Sequence, residues 1–246
     1  MTTRERSALR PHELRADTDV PLGVVRLGQV GYREAWDLQR DLVERRRRGT
    51  VGDLLLLLEH PAVYTLGKRT DRAHLLLDDT ERQRRGIDLV EVDRGGDITY
   101  HGPGQLVGYP VLQLSSIRGV VDYVRALEEL LIRTLARFDV VAERSEGYTG
   151  VWVGDRKIAA IGVRVASGAI TSHGFALNVA PRMEDFSGIV PCGIADREVT
   201  SLAGLGVEVD MEAVIEAVTA AAAEVFVATL ETVPAETITT RMEPIS

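Results

Sequence analysis

The amino-acid sequence predicts an α+β fold, in the form of a single domain with a central mixed or antiparallel β-sheet flanked by helices. Short apolar runs of strand length occur among segments with helical periodicity, but the two do not alternate regularly as in a doubly wound sheet. Three β-rich runs in the second half follow one another closely, which is typical of an antiparallel meander. No Pro/Gly/Ser-rich linker or repeat divides the chain, so one domain is expected.

The first half of the chain predicts one helix and four strands. Ala35, Leu38 and Leu42 recur at helical spacing, which predicts a helix from about Tyr32 to Arg47. The strands are expected at Gly23–Leu27, Leu54–Leu58, Val63–Leu66 and Leu89–Val92. The second of these is an unbroken leucine run between turn residues, which is typical of a buried strand.

The second half predicts two helices and the meander. A helix is expected from about Val120 to Phe138, where apolar residues fall on one face, and an alanine-rich helix from about Met211 to Leu230. Between them lie the three strands of the meander, expected at Thr149–Val153, Ile158–Val165 and Ile170–Asn178.

Composition limits the class of protein. Hydrophobic residues make up 45% of the 246 residues and charged residues 27%, as in ordinary globular proteins, and the net charge of −8 argues against a nucleic-acid binder. Residues 1–19 and 232–246 lack periodicity and are expected to be tails around a domain at 20–231. With no apolar leader, no membrane-length run and a single cysteine, a cytoplasmic protein without membrane association is expected.

Lysine is rare in this chain. Of the 29 Lys plus Arg residues only Lys68 and Lys157 are lysines, which leaves 27 arginines. Lys157 lies at the start of an apolar run, in the stretch DRKIAAIG. Arginine keeps its proton in proteins, whereas a desolvated lysine can act as a base or an acid near neutral pH. Lys157 is therefore a candidate catalytic residue; the alternative is the solvated end of a strand.

Two further segments could take part in chemistry. The stretch RGGDITYHGPGQ, from Arg94 to Gln105, has four glycines that allow close approach of the backbone, but it matches no phosphate-binding motif. Cys192 lies between Pro191 and Gly193, where a turn can expose a thiol; the alternative is a small buried apolar residue. The histidines are scattered and no second cysteine is present, so no metal site is expected.

These motifs occur in a specific order. RGGDITYHGPGQ, DRKIAAIGVRV, TSHGFALNV and GIVPCGI, the last followed by VTSL, resemble the octanoyltransferase family of lipoate biosynthesis, within the biotin/lipoate protein-ligase superfamily. The resemblance runs from about Arg26 to Leu205. It implies a biotin/lipoate protein-ligase-like fold and a catalytic domain at 20–231.

The resemblance also implies roles for individual residues. The family's nucleophile corresponds to Cys192 and its activating lysine to Lys157. Its substrate-binding segments correspond to Arg94, Gly95, Gly96, Asp97, Ile98, Thr99, Tyr100 and His101, to Ala160, Ile161 and Gly162, and to His173, Gly174 and Phe175.

The implied reaction moves an octanoyl group from octanoyl-acyl carrier protein, through a cysteine thioester, to a lysine of a lipoyl domain. The acceptors would be the E2 subunits of 2-oxoacid dehydrogenases and the H protein of glycine cleavage. Transfer from thioester to amide runs downhill, so no cofactor is expected, and no amphipathic stretch remains after core assignment, which favours a monomer. Two alternatives stay open, an ATP-dependent lipoate or biotin ligase of the same fold and a non-catalytic carrier-binding module.

Overall fold

The computed structural model describes residues 14–116, 119–190 and 197–239. Within these ranges the helices are α1 (Tyr32–Arg47), α2 (Asp79–Arg84), α3 (Val120–Ala136), α4 (Met211–Val225) and α5 (Ala235–Thr239). The strands are β1 (Leu22–Gln29), β2 (Leu54–Glu59), β3 (Val63–Leu66), β4 (Asp88–Glu91), β5 (Thr99–His101), β6 (Gln105–Val111), β7 (Glu143–Ser145), β8 (Tyr148–Val153), β9 (Arg156–Ala166), β10 (Ile170–Asn178) and β11 (Leu230–Thr232).

The strands form a large and a small sheet. The large sheet has the order β11-β1-β2-β6-β10-β9-β8-β7, and the small sheet the order β4-β3-β5. In the large sheet β1 runs parallel to β2 and to β11, whereas all pairs from β2 through β7 are antiparallel. The predicted α+β fold with a central mixed sheet is therefore confirmed.

Both faces of the large sheet are covered. Because a strand directs alternate side chains to opposite faces, the leucines of β2 divide between two cores. Leu55 and Leu57 pack in the core that holds α3 and α4, whereas Leu54, Leu56 and Leu58 face α1. Burial on both faces explains why β2 is an unbroken apolar run rather than an alternating one.

The small sheet has a core of its own. Tyr64 and Tyr100 pack edge to face with ring centroids 5.9 Å apart, and Phe186 lies 5.0 Å from Tyr100. Phe186 belongs to a short 3₁₀ helix at Met183–Gly188, in which Asp185 accepts hydrogen bonds from both tyrosine hydroxyls. This core fixes the small sheet beside the segment that leads to Cys192.

Most of the predicted elements are present. The helix at Tyr32–Arg47 and the strands at Leu54, Val63 and Leu89 begin within one residue of the expected positions. The meander is formed by β8, β9 and β10. The prediction is confirmed here because hydrophobic periodicity and tertiary burial agree along these segments.

The last long helix is shorter than predicted. The sequence favours a helix to about Leu230, but α4 ends at Val225 and Leu230 opens β11. Val227 adopts a positive φ of 48°, which the helix cannot continue through. The chain therefore turns back and adds β11 parallel to β1.

One central strand was missed. β6 lies between β2 and β10 but contains Gly108 and Pro110, which are poor strand formers. A side chain at position 108 would overlap the ring of Phe175, so packing demands glycine there. Local propensity argues against a strand at a place where tertiary contacts require one.

The folded domain extends beyond the predicted limits of 20–231. Leu14 and Arg15 are buried within the segment predicted as an N-terminal tail, and Ile238 of α5 is buried within the predicted C-terminal tail. Short apolar anchors of this kind carry too little periodicity to be recognised in sequence. Among the described helices, none has the length and apolar character that crossing a bilayer requires.

Asp53 ties the N-terminal segment to the sheet. Its carboxylate accepts hydrogen bonds from Arg15 Nε at 2.7 Å, Arg46 Nε at 2.8 Å and the Gln113 backbone N–H at 2.9 Å. The side chains of Arg15 and Asp53 are 0% and 1% exposed. Arg15 and Asp53 therefore form a buried ion pair, in which each charge compensates the other.

We expect Asp53→Asn to lower the free energy of unfolding by about 3–5 kcal/mol, because it leaves the Arg15 guanidinium buried without its counter-charge. Urea denaturation followed by circular dichroism measures the loss. The control is Asp41→Asn, which removes the exposed pair between Asp41 and Arg45 and should cost about 0–1 kcal/mol. Equal losses in the two variants would contradict a structural role for the buried pair.

Candidate active site

A cavity of about 550 Å³ lies between the large sheet and the loop before β5, a size that suits a small ligand. Most of the predicted substrate-binding residues line it, although they come from three separate parts of the sequence. These are Arg94, Gly95, Gly96, Asp97, Thr99, His101, Ala160, Ile161, Gly162, His173, Gly174 and Phe175. The structure thus brings twelve of the fourteen predicted residues to one site.

Ile98 and Tyr100 do not line the cavity. Both are buried in the core of the small sheet, with exposures of 0% and 1%. Alternation along the strand sends them to the face opposite Thr99 and His101. Their predicted contact with substrate does not agree with this geometry, and their role is to fix β5 against Tyr64 and Phe186.

Lys157 lies at the start of β9, with its side chain directed into the cavity. It is only 6% exposed, and its Nζ lies 4.8 Å from the ring centroid of Trp152. No carboxylate oxygen of the described residues lies within 4.0 Å of Nζ. The alternative of a solvated strand end is therefore wrong, because the amine is enclosed and its cationic form has an aromatic face beside it.

The backbone around Lys157 is held on both sides. Its N–H donates to Glu198 O at 2.9 Å, and its carbonyl accepts from Thr200 N–H at 2.8 Å. Gly150 in β8 has a φ of 119°, and a Cβ there would lie 2.6 Å from Ala159 O and 3.4 Å from the Lys157 side chain. The close approach of β8 to β9 therefore requires glycine and shapes the space for the lysine stem.

Cys192 lies outside the described residues, in the segment 191–196. The chain before this segment is anchored where Val190 N–H donates to His74 O at 2.8 Å. The chain after it is anchored where the Arg197 guanidinium covers the rings of Tyr148 and Trp152, at 4.9 and 5.1 Å. The described chain therefore ends beside the small sheet at Val190 and resumes beside Lys157 at Arg197.

Arg94 fills the space that the glycines leave open. Its guanidinium donates to Thr65 O and to Thr65 Oγ1, both at 2.8 Å, and to Gly95 O at 3.1 Å. Cβ atoms on Gly67 or Gly162 would lie 2.8 Å from its Nη1 and 3.1 Å from its Cδ. The glycines therefore allow an arginine to be packed between the two sheets.

His173 has an unusual backbone for a strand residue. Its φ of 57° lies in the left-handed region, where only a well-supported side chain is stable. The support comes from Gln39 Oε1, which accepts from His173 N–H at 2.7 Å, and from Asp93, whose Oδ1 lies 2.8 Å from His173 Nε2. Hydrogen bonding to His173 lowers the pKa of Asp93 to about 2, aided by Arg164.

Two histidines and two tyrosines form a cluster, of which Tyr32, His101 and Tyr109 line the cavity. His101 stacks on Tyr32 with centroids 5.7 Å apart, and His60 meets His101 edge to face at 5.7 Å. Val30 O lies 2.7 Å from His60 Nδ1, which must therefore donate, so His60 Nε2 accepts from the Tyr109 hydroxyl at 2.7 Å. Burial lowers the pKa of His60 to about 4, which keeps it neutral.

Several residues of the site were not predicted from the sequence. They are Tyr32, Gln39, His60, His74, Asp93 and Tyr109, which lie on other elements and support or line the cavity. His74 Nδ1 lies 2.6 Å from Asp97 Oδ2, which links the loop before β5 to the segment that leads to Cys192. The one local sequence feature that could have indicated any of these residues is the position of His60 directly after a buried strand. In the described ranges, no group of three or more His, Cys, Asp or Glu residues could hold a metal ion.

Comparisons with known proteins show the family to which this chain belongs. Residues 31–223 match the lipoyl protein ligase A/B catalytic domain. An octanoyltransferase of Acidobacterium capsulatum is 53% identical over 195 residues, which cover 74% of this chain and 79% of the relative. One from Mycolicibacterium gilvum is 52% identical over 215 residues, 85% of this chain and 86% of the relative.

Solved structures share the fold at much lower identity. Lipoate-protein ligase A bound with ATP superposes with a TM-score of 0.71 at 18% identity, over 86% of this chain and 88% of that one. A bi-partite lipoate protein ligase from Thermoplasma acidophilum gives 0.71 at 19% identity, over 87% and 88%. From the family match and the relatives of about half identity, the chain belongs to the lipoyl protein ligase A/B catalytic domain family, among its octanoyltransferases.

Proposed function

We propose that this protein transfers an octanoyl group from octanoyl-acyl carrier protein to a lysine of a lipoyl domain, through a thioester on Cys192. The observation that carries the proposal is the enclosed Lys157 amine, which lacks a carboxylate within ion-pair distance among the described residues. The chain that returns from Cys192 also pairs directly with the Lys157 backbone, at Glu198 and Thr200. Membership of the family supports the choice of an octanoyl group as the transferred group and of a lipoyl domain as the acceptor.

The residue types suit a reaction in two halves. A thiolate attacks the donor thioester, so the Cys192 thiol must give up its proton near neutral pH. Lys157 can accept that proton as an amine or stabilise the thiolate as an ammonium. In the second half the acceptor lysine loses a proton while the Cys192 sulfur leaves as a thiolate. Lys157 is again the group that carries the proton in this proposal.

The proposed partners follow from the resemblance to the octanoyltransferase family. The proposed acceptors are the E2 subunits of 2-oxoacid dehydrogenases and the glycine cleavage H protein, and the proposed enzyme acts as a cytoplasmic monomer. Neither half requires a nucleotide, because a thioester is exchanged for a thioester and then for an amide. The ATP-dependent alternative shares the fold, but the relatives of about half identity are octanoyltransferases.

The acyl-enzyme is tested by mass spectrometry. After incubation with octanoyl carrier protein and no ATP, the wild-type protein should gain one octanoyl group that hydroxylamine removes. Cys192→Ala should gain none, because it lacks the nucleophile. Transfer by Cys192→Ala at the wild-type rate would exclude the covalent route, and labelling that requires ATP would favour a ligase.

We expect Lys157→Arg to lose a factor of about 10²–10⁴ in rate, the usual contribution of a positioned acid or base, because arginine keeps the charge but cannot move the proton. Single-turnover measurements of acyl loading and of transfer locate the loss. The control is Arg156→Lys, the reverse exchange at the neighbouring and more exposed position, which should retain near-wild-type rates. Normal rates in both halves for Lys157→Arg would mean that Lys157 contributes only charge.

The arginine clusters of the sequence offer little for docking an acidic carrier. All seven arginines of Arg45–Arg48 and of Arg82, Arg84 and Arg85 form ion pairs with nearby carboxylates. Lys68 and Arg69 differ, because no carboxylate of the described residues lies within 4.0 Å of either cationic group. Both are exposed, their backbone N–H groups bond to Arg94 O and Gly96 O, and Arg69 lines the cavity.

We therefore expect Lys68→Gln to raise the KM for octanoyl carrier protein, with a salt dependence weaker than that of the wild type, because rim charges act mainly on association. The rate with octanoyl-pantetheine should not change. Arg84→Gln removes one charge from an exposed pair and serves as the matched control. The same KM change in both variants would assign the effect to net charge and not to this loop.

A further inference from the structure

A buried chain of hydrogen bonds joins His101 to the strand segment that holds Lys157. His101 Nδ1 lies 2.8 Å from Gln105 Oε1, and Gln105 Nε2 donates to Asn178 Oδ1 at 2.9 Å. Asn178 Nδ2 donates to Thr200 O at 2.9 Å, and Thr200 N–H donates to the Lys157 carbonyl at 2.8 Å. Gln105 and Asn178 are 2% and 4% exposed, so water cannot replace these bonds easily.

Two backbone carbonyls fix the direction of every bond in this chain. Gln105 lies 3.1 Å from Tyr100 O, and Asn178 lies 2.9 Å from Thr200 O. A carbonyl oxygen can only accept, so both amides must turn their NH₂ groups toward these oxygens. Gln105 then presents its oxygen to His101. The His101 imidazole must therefore carry its hydrogen on Nδ1.

The other ring nitrogen of His101 is consequently bare when the ring is neutral. Burial lowers the pKa of His101 well below its ordinary value, and the neighbouring charges act in the same direction. Among the described residues, Tyr32 and His60 lie against the ring and Arg94 and His173 act on it through their charge, and none of these four is an anion at neutral pH. His101 lines the cavity, so Nε2 offers a hydrogen-bond acceptor there.

We propose that Gln105 and Asn178 are positioning residues that lock His101 as the Nδ1–H tautomer, so that Nε2 accepts a hydrogen bond from the primary amine that enters the cavity. This inference rests on the proposed function, in which that amine is the acceptor lysine. An acceptor at Nε2 orients an N–H group and leaves the nitrogen lone pair directed elsewhere, toward the acyl carbon. A protonated ring would instead donate and repel a cationic lysine.

The same two amides connect this acceptor to Lys157. Gln105, Asn178 and Lys157 are among the residues that line a small void of about 10 Å³ beside the main cavity. Asn178 also accepts at its backbone carbonyl from Leu202 N–H at 3.0 Å, which fixes the segment after Thr200. One buried pair of amides thus holds the His101 acceptor and the backbone of Lys157 in a fixed relation.

The kinetic test uses Gln105→Glu, which keeps the shape but places a carboxylate beside His101 Nδ1. The carboxylate raises the pKa of His101, so the ring is protonated below that raised pKa and Nε2 loses its acceptor. The ratio of the transfer rate to the acyl-loading rate should fall at least tenfold at pH 6.5 and recover as the pH rises toward 9. Gln83→Glu, on the exposed α2, should show no such dependence. A pH-independent ratio in Gln105→Glu would overturn the acceptor role.

The tautomer is tested directly on the wild-type protein, without catalysis. ¹⁵N NMR of the imidazoles at pH 7, with His101 assigned from the signals that His101→Asn lacks, should show hydrogen on Nδ1 and a bare Nε2. Hydrogen on Nε2, or a doubly protonated ring, would overturn the inference even if the variant fails to fold. Because this measurement needs no acyl-enzyme, absence of acyl loading in the wild type would count against the proposed function alone.

Discussion

The antiparallel pairing of β9 with β10 is the constraint on which the site depends. In this register Ala160 lies opposite Ala176, Ile161 opposite Phe175, and Gly162 opposite Gly174. Two motifs that are separated by a turn in sequence thereby become one wall of the cavity. A slip of one residue would turn every side chain to the other face, so the wall exists only in this register.

Close packing then determines where side chains are absent. A Cβ on Gly174 would overlap Gly108 O, and one on Gly108 would overlap the Phe175 ring, so β6 and β10 approach each other through glycine on both strands. The space between the sheets is occupied by Arg94, which Gly67 and Gly162 admit. These glycines therefore serve internal packing, and two of them, Gly162 and Gly174, also line the cavity.

The surroundings of the cations separate the clustered arginines from Lys157. The seven clustered arginines near the ends of α1 and α2 are paired with carboxylates, as suits helix termini. Lys157 is enclosed, its amine lies over the Trp152 ring, and no carboxylate of the described residues lies within 4.0 Å of it. In an arginine-rich chain the position of a lysine therefore carries more information than the number of charges.

The sequence by itself determined the fold class, the long helices, the meander and the set of motifs, because periodicity and motif order are local properties. Only the tertiary structure decided that Ile98 and Tyr100 face a core, since strand alternation acts relative to a partner layer. It also brought in Tyr32, His60 and Tyr109, and the link from His101 through Gln105 and Asn178 to Lys157. These contacts join residues far apart in the chain, and hydrogen-bond direction depends on which carbonyls lie nearby.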